Sequence, residues 1–219
     1  MSRAEVLSTL CDRILALTPG RPAAVAIDGP DASGKTTLAD ALVAPLETRG
    51  AMVVRASIDD FERPRAERYA RGRFSAKGYY RDSFDYGAFR RLLLDPLTSG
   101  ASPALVRTRA FDLVADKPIA TRPVAVPSRG VVLVDGVFLL RAELRDCWDL
   151  SILMNVSEGE GMRRALARAG GDSEELRRLN EARYIAGYRL YRDDAEPEKA
   201  ADLVIDNNDP ANPVITADR

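Results

Sequence analysis

The stretch Ala23-Ala24-Val25-Ala26-Ile27-Asp28-Gly29-Pro30-Asp31-Ala32-Ser33-Gly34-Lys35-Thr36-Thr37 decides how this chain is read. Ala23 to Ile27 is a short apolar run, the pattern of a strand buried on both faces. A Gly/Pro/Ser-rich turn follows, and then a helical pattern over residues 36–46. Gly29 to Thr36 matches G-x-x-x-x-G-K-[ST] at every fixed position. A loop of this kind wraps a phosphate with backbone N–H groups, and its glycines allow the close approach. The helix behind it presents its N-terminus to the anion. Lys35 supplies a point charge for the β- and γ-phosphates, and the Thr36 hydroxyl is placed to ligate Mg2+. The nucleotide-binding candidates here are Gly29, Asp31, Ala32, Ser33, Gly34, Lys35, Thr36 and Thr37. Asp31 has two readings: it orients a substrate or a partner arginine, or it only shapes the turn.

Upstream, Ser2 and Glu5 fit a capping box. Val6, Leu7, Leu10, Ile14, Leu15 and Leu17 recur at helical spacing, and Pro19-Gly20 is the expected stop. Downstream, four more strands are predicted, over residues 52–56, 131–134, 150–154 and 203–205. Helical patterns separate most of them. The expected fold is a three-layer α/β/α domain, with a mainly parallel five-stranded sheet and helices on both faces. Residues 61–81 hold seven cations and two anions without a clear period. Residues 102–127 carry short β-prone pieces and suggest an inserted hairpin. Residues 193–219 hold eight acidic and two basic residues, which reads as a solvated tail, partly frayed beyond Asp209.

The whole chain narrows the chemistry. With 219 residues it has room for one sizeable core, and a single domain over 1–219 is expected. Its parts are an N-terminal helix (1–20), substrate-side insertions (61–82 and 102–127) and a lid region (160–192). Histidine is absent, which excludes a Ser-His-Asp triad, a His base and a His-ligated zinc. Two cysteines cannot build a four-cysteine metal site or a disulfide framework. The net charge of −1 argues against a nucleic-acid partner. No apolar stretch approaches the roughly 20 residues that span a bilayer, so no membrane partner is expected and a cytoplasmic protein is the default. A homo-oligomer stays open.

A GTP switch would carry a guanine-reading N-K-x-D segment, and no lysine here sits in one. An oligomeric motor ATPase usually needs a longer chain. A small kinase fits the length. It needs a carboxylate where ligands bind, at the C-terminal ends of the strands. Asp59 and Asp60 follow the second strand, and without histidine an Asp is the natural acceptor for a hydroxyl proton. An Asx turn or a helix cap is the bland alternative. Asp135-Gly136 ends the third strand, where an acid would hold Mg2+ directly or through water. Thr36, Asp59 and Asp135 are thus the metal candidates. Arg164 and Arg168 share a helical face and suit a closing lid over developing phosphoryl charge. Arg163, Arg177, Arg178 and Arg183 are further candidates, although a solvated charged helix explains most arginines in this stretch.

The ordered set Gly29-to-Thr37, Asp59-Asp60-Phe61, Ser83-Phe84-Asp85, Phe111-Asp112, Val132-to-Leu140, Arg164-to-Arg168 and Ala201-to-Ile205 resembles the uridine kinase/phosphoribulokinase branch of P-loop kinases, and within it uridine kinase-like proteins. The resemblance implies ATP- or GTP-dependent phosphorylation of a small acceptor, a nucleoside 5′-hydroxyl above all. It makes Asp59 the catalytic carboxylate, alongside Lys35, Arg164 and Arg168. It brings Asn207 near the adenine and sets Asp85, with Phe84 beside it, on the ribose hydroxyls. The acceptor-side set expected is Asp60, Phe61, Tyr80, Phe84, Asp85, Phe111, Asp116, Arg163 and Tyr184. The chain departs from the family pattern at the base-reading positions, where Leu113 replaces an aromatic residue and Asp116 falls near the expected His. A carboxylate only accepts hydrogen bonds. A nucleoside monophosphate kinase is a second reading: the phosphate loop also looks like a thymidylate kinase loop, but Asp135-Gly136 stands where such enzymes carry Asp-Arg. A nucleotide-binding sensor is a third, against which the joint presence of Lys35, Thr36, Asp59 and Asp135 counts.

Overall fold

The computed structural model describes residues 2–17 and 20–219. Strands and helices alternate along it, as the apolar runs predict. The strands are β1 (Ala23–Asp28), β2 (Val53–Ser57), β3 (Ala104–Val106), β4 (Phe111–Asp112), β5 (Lys117–Pro118), β6 (Val124–Val126), β7 (Val131–Gly136), β8 (Leu150–Asn155), β9 (Leu203–Asp206) and β10 (Val214–Asp218). Six of them form one sheet in the order β10-β9-β8-β1-β7-β2. The five strands expected from sequence are those that run parallel, and β10 adds an antiparallel edge beside β9. The acidic tail is therefore not a frayed end. Its short alternating run 214–218 pairs with β9 because one edge of the sheet would otherwise be open.

Side chains of successive strand residues point to opposite faces, so each strand feeds two cores. Val25 and Ile27 of β1, Leu133 of β7 and Ile152 of β8 pack with Leu10, Ile14, Leu42 and Leu46. These come from the helices Arg3–Leu15 and Lys35–Thr48. Ala24, Ala26, Val132, Val134 and Leu153 face the other way, against Phe61, Tyr80, Phe84, Phe89, Phe138 and Tyr191. Each fully buried Leu, Ile or Phe contributes roughly 1.5–3 kcal/mol. The capping box forms as read: the Glu5 amide donates to Ser2 Oγ, and the Ser2 amide donates to Glu5. The first helix ends at Leu15, one turn before the expected stop, whose Pro19 lies outside the described residues.

Residues 61–81, without a readable period, contain the helices Arg65–Arg68 and Ala76–Asp82. Segments of four and seven residues are too short to show one. The insertion over 102–127 is nested, with β3 paired to β6 and β4 paired to β5 inside it. The segment expected to be a lid holds the helices Glu158–Arg168, Glu174–Leu179 and Ala186–Ala195, with a π-helical stretch Asn180–Ile185 between the last two.

Candidate active site

Strand register brings the chemistry together. Asp28 on β1 pairs with Gly136 on β7, and Asp135 pairs with Ser57 on β2. The phosphate loop leaves β1 directly after Asp28, and Asp59 stands two residues past Ser57. Loop, Asp135 and Asp59 therefore meet at the C-terminal edge of the sheet, where open α/β sheets bind ligands. Gly136 is required there: a Cβ would lie 2.3 Å from Ile58 Cγ2, in the turn that carries Asp59.

The loop is held from several sides. The buried Asp28 carboxylate accepts the Gly29 amide at 2.7 Å. Asn207 Nδ2 donates to the Ser33 carbonyl at 2.7 Å. Gly34 adopts φ +94°, where a Cβ would stand 2.7 Å from that amide nitrogen. Lys35 Nζ donates to the Pro30 carbonyl at 2.7 Å, across the loop. The buried Ser33 hydroxyl has no hydrogen-bond partner among the described residues. An orphaned hydroxyl, a lysine and a helix N-terminus in one loop fit a polyphosphate. Ala32, Gly34, Lys35, Thr36 and Thr37 line a cavity of about 320 Å3 together with Asn207, Arg164 and Arg168.

Thr36 Oγ1 donates to Asp135 Oδ2 at 2.6 Å. Arg55 bonds the other oxygen of Asp135 and also reaches Asp40. A hydroxyl and a carboxylate side by side are hard oxygen donors, and they fit Mg2+ shared with a nucleotide's phosphates. Asp59 is open to solvent, yet protein atoms crowd it. That desolvation pushes its carboxyl up to about 6; Lys35 opposes the rise, and Asp31, Asp135 and Asp60 add to it.

Beyond Asp59 the site turns acidic. Asp31 accepts a hydrogen bond from Tyr79 at 2.7 Å, and the ring of Tyr184 stands 5.0 Å from that of Tyr79. Asp60 pairs with Arg109 at 2.9 Å. Burial lifts Glu62 to about 7, against the pull of Arg68, which pairs with it at 2.6 Å. Asp116 accepts from the Arg65 amide at 2.9 Å and from Arg68 at 3.3 Å, which ties the two insertions together. Five of the seven cations in residues 61–81 are in ion pairs: Arg63, Arg68, Arg71, Arg73 and Arg81. Their excess of positive charge is largely neutralised in place, so the basic stretch does not make a cationic pocket.

No protein-family model matches the chain, and no curated protein matches it. Solved structures do. A possible uridine kinase from Bacillus stearothermophilus superposes with a TM-score of 0.72 at 27% identity, over 92% of this chain and 97% of its own. A candidate fructose transport system kinase from a Silicibacter species gives 0.70 at 24%, over 86% and 95%. This chain is a P-loop small-molecule kinase similar to the uridine kinase branch. D-glycerate 3-kinase from Cryptococcus neoformans shares the fold at 15% identity, with a TM-score of 0.57 over 87% and 89%.

Several acceptor-side expectations need correction in this kinase. Phe61, Tyr80 and Phe84 are buried in the core: Phe61 packs edge-on to Phe89 at 5.1 Å, and Tyr80 and Phe84 both pack on Phe138. They reach the site's neighbourhood only as its foundation. Phe111 is buried in β4. Asp85 caps the helix Tyr86–Phe89, accepting the Ala88 amide at 2.8 Å. Arg163 is exposed and forks onto Glu160. Arg164 lines the cavity beside the phosphate loop, with its guanidinium bonded to Glu160 and to the carbonyls of Asn207 and Asn208.

Sequence reasoning missed Asp28, Arg55 and Tyr79. The first two had a faint signal: each is a charged residue inside an apolar strand, and buried charges are almost always partnered. Arg183 is buried too. It bonds backbone carbonyls of residues 68, 73 and 75 and the Ser83 hydroxyl at 3.2–3.5 Å, between the rings of Tyr69 and Tyr79. Among the described residues, no helix is long and apolar enough to cross a membrane.

Proposed function

We propose that this kinase transfers the γ-phosphoryl group of ATP, or of GTP, to the hydroxyl of a small uncharged acceptor. A nucleoside 5′-hydroxyl is the first candidate, by similarity to the possible uridine kinase. The observation that carries the reading is Asp59: a carboxylate with its pKa lifted to about 6, beside Lys35 and Asp135, at the mouth of the phosphate loop. A base poised near neutrality accepts a hydroxyl proton efficiently as the oxygen attacks. The O–H proton passes to Asp59, the new bond forms to the γ-phosphorus, and the β–γ bridging bond breaks. Lys35 and the loop amides hold the phosphates in line and stabilise the charge that develops on the transferred oxygens. Thr36 and Asp135 are the residues that would hold Mg2+, whose chemistry is charge neutralisation on the phosphates.

The charge around Asp59 favours a neutral acceptor over a nucleoside monophosphate. Asp31, Asp60 and Glu62 surround it, and Arg68 is engaged by Glu62 and Asp116. A phosphate dianion would meet like charge there. A sugar or a polyol is the second acceptor class, supported by carboxylates at Glu62 and Asp116 that can accept from hydroxyl groups. One of the neighbours carries a name of that kind, a fructose transport system kinase. Acceptor-dependent ADP release across ribonucleosides, sugars, polyols and nucleoside monophosphates tests the reading. Turnover with a neutral acceptor supports it; turnover with monophosphates alone overturns it.

A further inference from the structure

The two ends of the chain, which carry no motif, meet at the donor cavity. Arg3, Val6 and Leu7 of the first helix line it together with Pro210 and Pro213, which lead into β10. The helix is fixed in that position. Its capping box sets the first turn, Arg13 bonds Asp218 and the Arg219 carbonyl at the end of β10, and Arg49 behind the loop helix pairs with Asp12. Phosphate-loop groups line part of the cavity. Its lining also includes Leu7, Met154, Ile205 and the two prolines, apolar groups of the kind that take a flat base. Arg3 lines it from the first helix and Arg168 from the helix Glu158–Arg168. Neither forms an ion pair among the described residues, whereas Arg164 is engaged.

We infer that the first helix is the outer wall of the donor-nucleotide site, with Arg3 and Leu7 holding the nucleoside end of ATP. Leu7 supplies apolar contact to the base. Arg3 lays a guanidinium against the base or the ribose, as arginine does on aromatic faces. The inference rests on the nucleotide-binding part of the proposed function and not on the identity of the acceptor.

The test is calorimetric binding of ATP and of inorganic tripolyphosphate to the full chain without acceptor. Tripolyphosphate engages only the phosphate loop and reports whether that loop is intact. Arg3→Ala is expected to weaken ATP roughly two- to fivefold, the range of an exposed cation–π contact. Leu7→Ala is expected to weaken it about tenfold, from lost apolar contact. Both should leave tripolyphosphate affinity unchanged. Ser8→Ala, exposed on the same helix and outside the cavity, should change neither. Unchanged ATP affinity in both cavity variants overturns the inference, and so does equal weakening of ATP and tripolyphosphate. If Leu7→Ala loosens the fold, the exposed Arg3→Ala still decides. A kinase that turns over no tested acceptor would refute the acceptor reading and leave this result standing.

Discussion

Tyr191 donates its hydroxyl to Asp28, the buried carboxylate that also receives the first amide of the phosphate loop. The same oxygen of Tyr191 accepts the Leu140 amide at 3.0 Å. One phenol on the helix Ala186–Ala195 thus holds the floor of the loop and the segment after β7. Tyr191→Phe removes the donor and leaves a buried carboxylate short of a partner. The expected loss is about 1–3 kcal/mol of folding stability, read from urea denaturation, since an unsatisfied buried group costs its full desolvation.

Asn207 works on the loop from the opposite side. Asn207→Ala deletes the donor to the Ser33 carbonyl and opens space against Gly34. Donor affinity is expected to fall roughly tenfold, for about 1–2 kcal/mol of lost preorganisation. Acceptor KM should not move. Steady-state kinetics with each substrate varied in turn separates the two.

Asp116 joins the insertions that flank Asp59. Asp116→Ala frees Arg68 and the Arg65 amide, and it is expected to raise acceptor KM by roughly two- to tenfold, the worth of one or two hydrogen bonds. Donor affinity, measured without acceptor, should stay put.

The raised pKa of Asp59 sets a pH dependence. As a base it must be ionised, so kcat/KM for the acceptor should rise with pH up to about 6 and level off above it. The linkage to stability has the opposite sense. The folded state holds this proton more tightly than the unfolded chain, so the contribution is present below the ordinary Asp range and is lost as pH rises through about 6. Asp59→Asn should therefore gain Tm relative to the parent at pH 8 but not at pH 4, measured by thermal melts at the two values.

What could be read from the sequence followed from how local the cause was. The phosphate loop and the strand before it were legible because eight consecutive residues carry both chemistry and geometry. Asp59 and Asp135 were legible because strand ends collect ligands, and the register of β1, β2 and β7 brings them together. The acceptor side was not. Phe61, Tyr80 and Phe84 are aromatic residues beside a site, and composition cannot say whether such a ring faces ligand or core; here Phe138 gathers Tyr80 and Phe84, as well as Tyr79. Phe138 itself sits at φ +65°, a backbone state no pattern in Val137-Phe138-Leu139 announces. The charge count of residues 61–81 overstates their field because a count ignores partners. Arg73 finds Glu175 and Arg81 finds Asp194, both about a hundred residues away. The tail misled for the same reason, since β10 exists only beside β9.

Phosphoryl transfer as proposed turns on Asp59 taking the acceptor proton. Replacing it by the isosteric amide and measuring kcat at saturating ATP and acceptor, with ATP affinity alongside, tests this most directly. Asp59→Asn should keep ATP affinity within about twofold and lower kcat by roughly 10²-fold or more, the range for losing a general base. An unchanged kcat in a variant that binds ATP normally would contradict it.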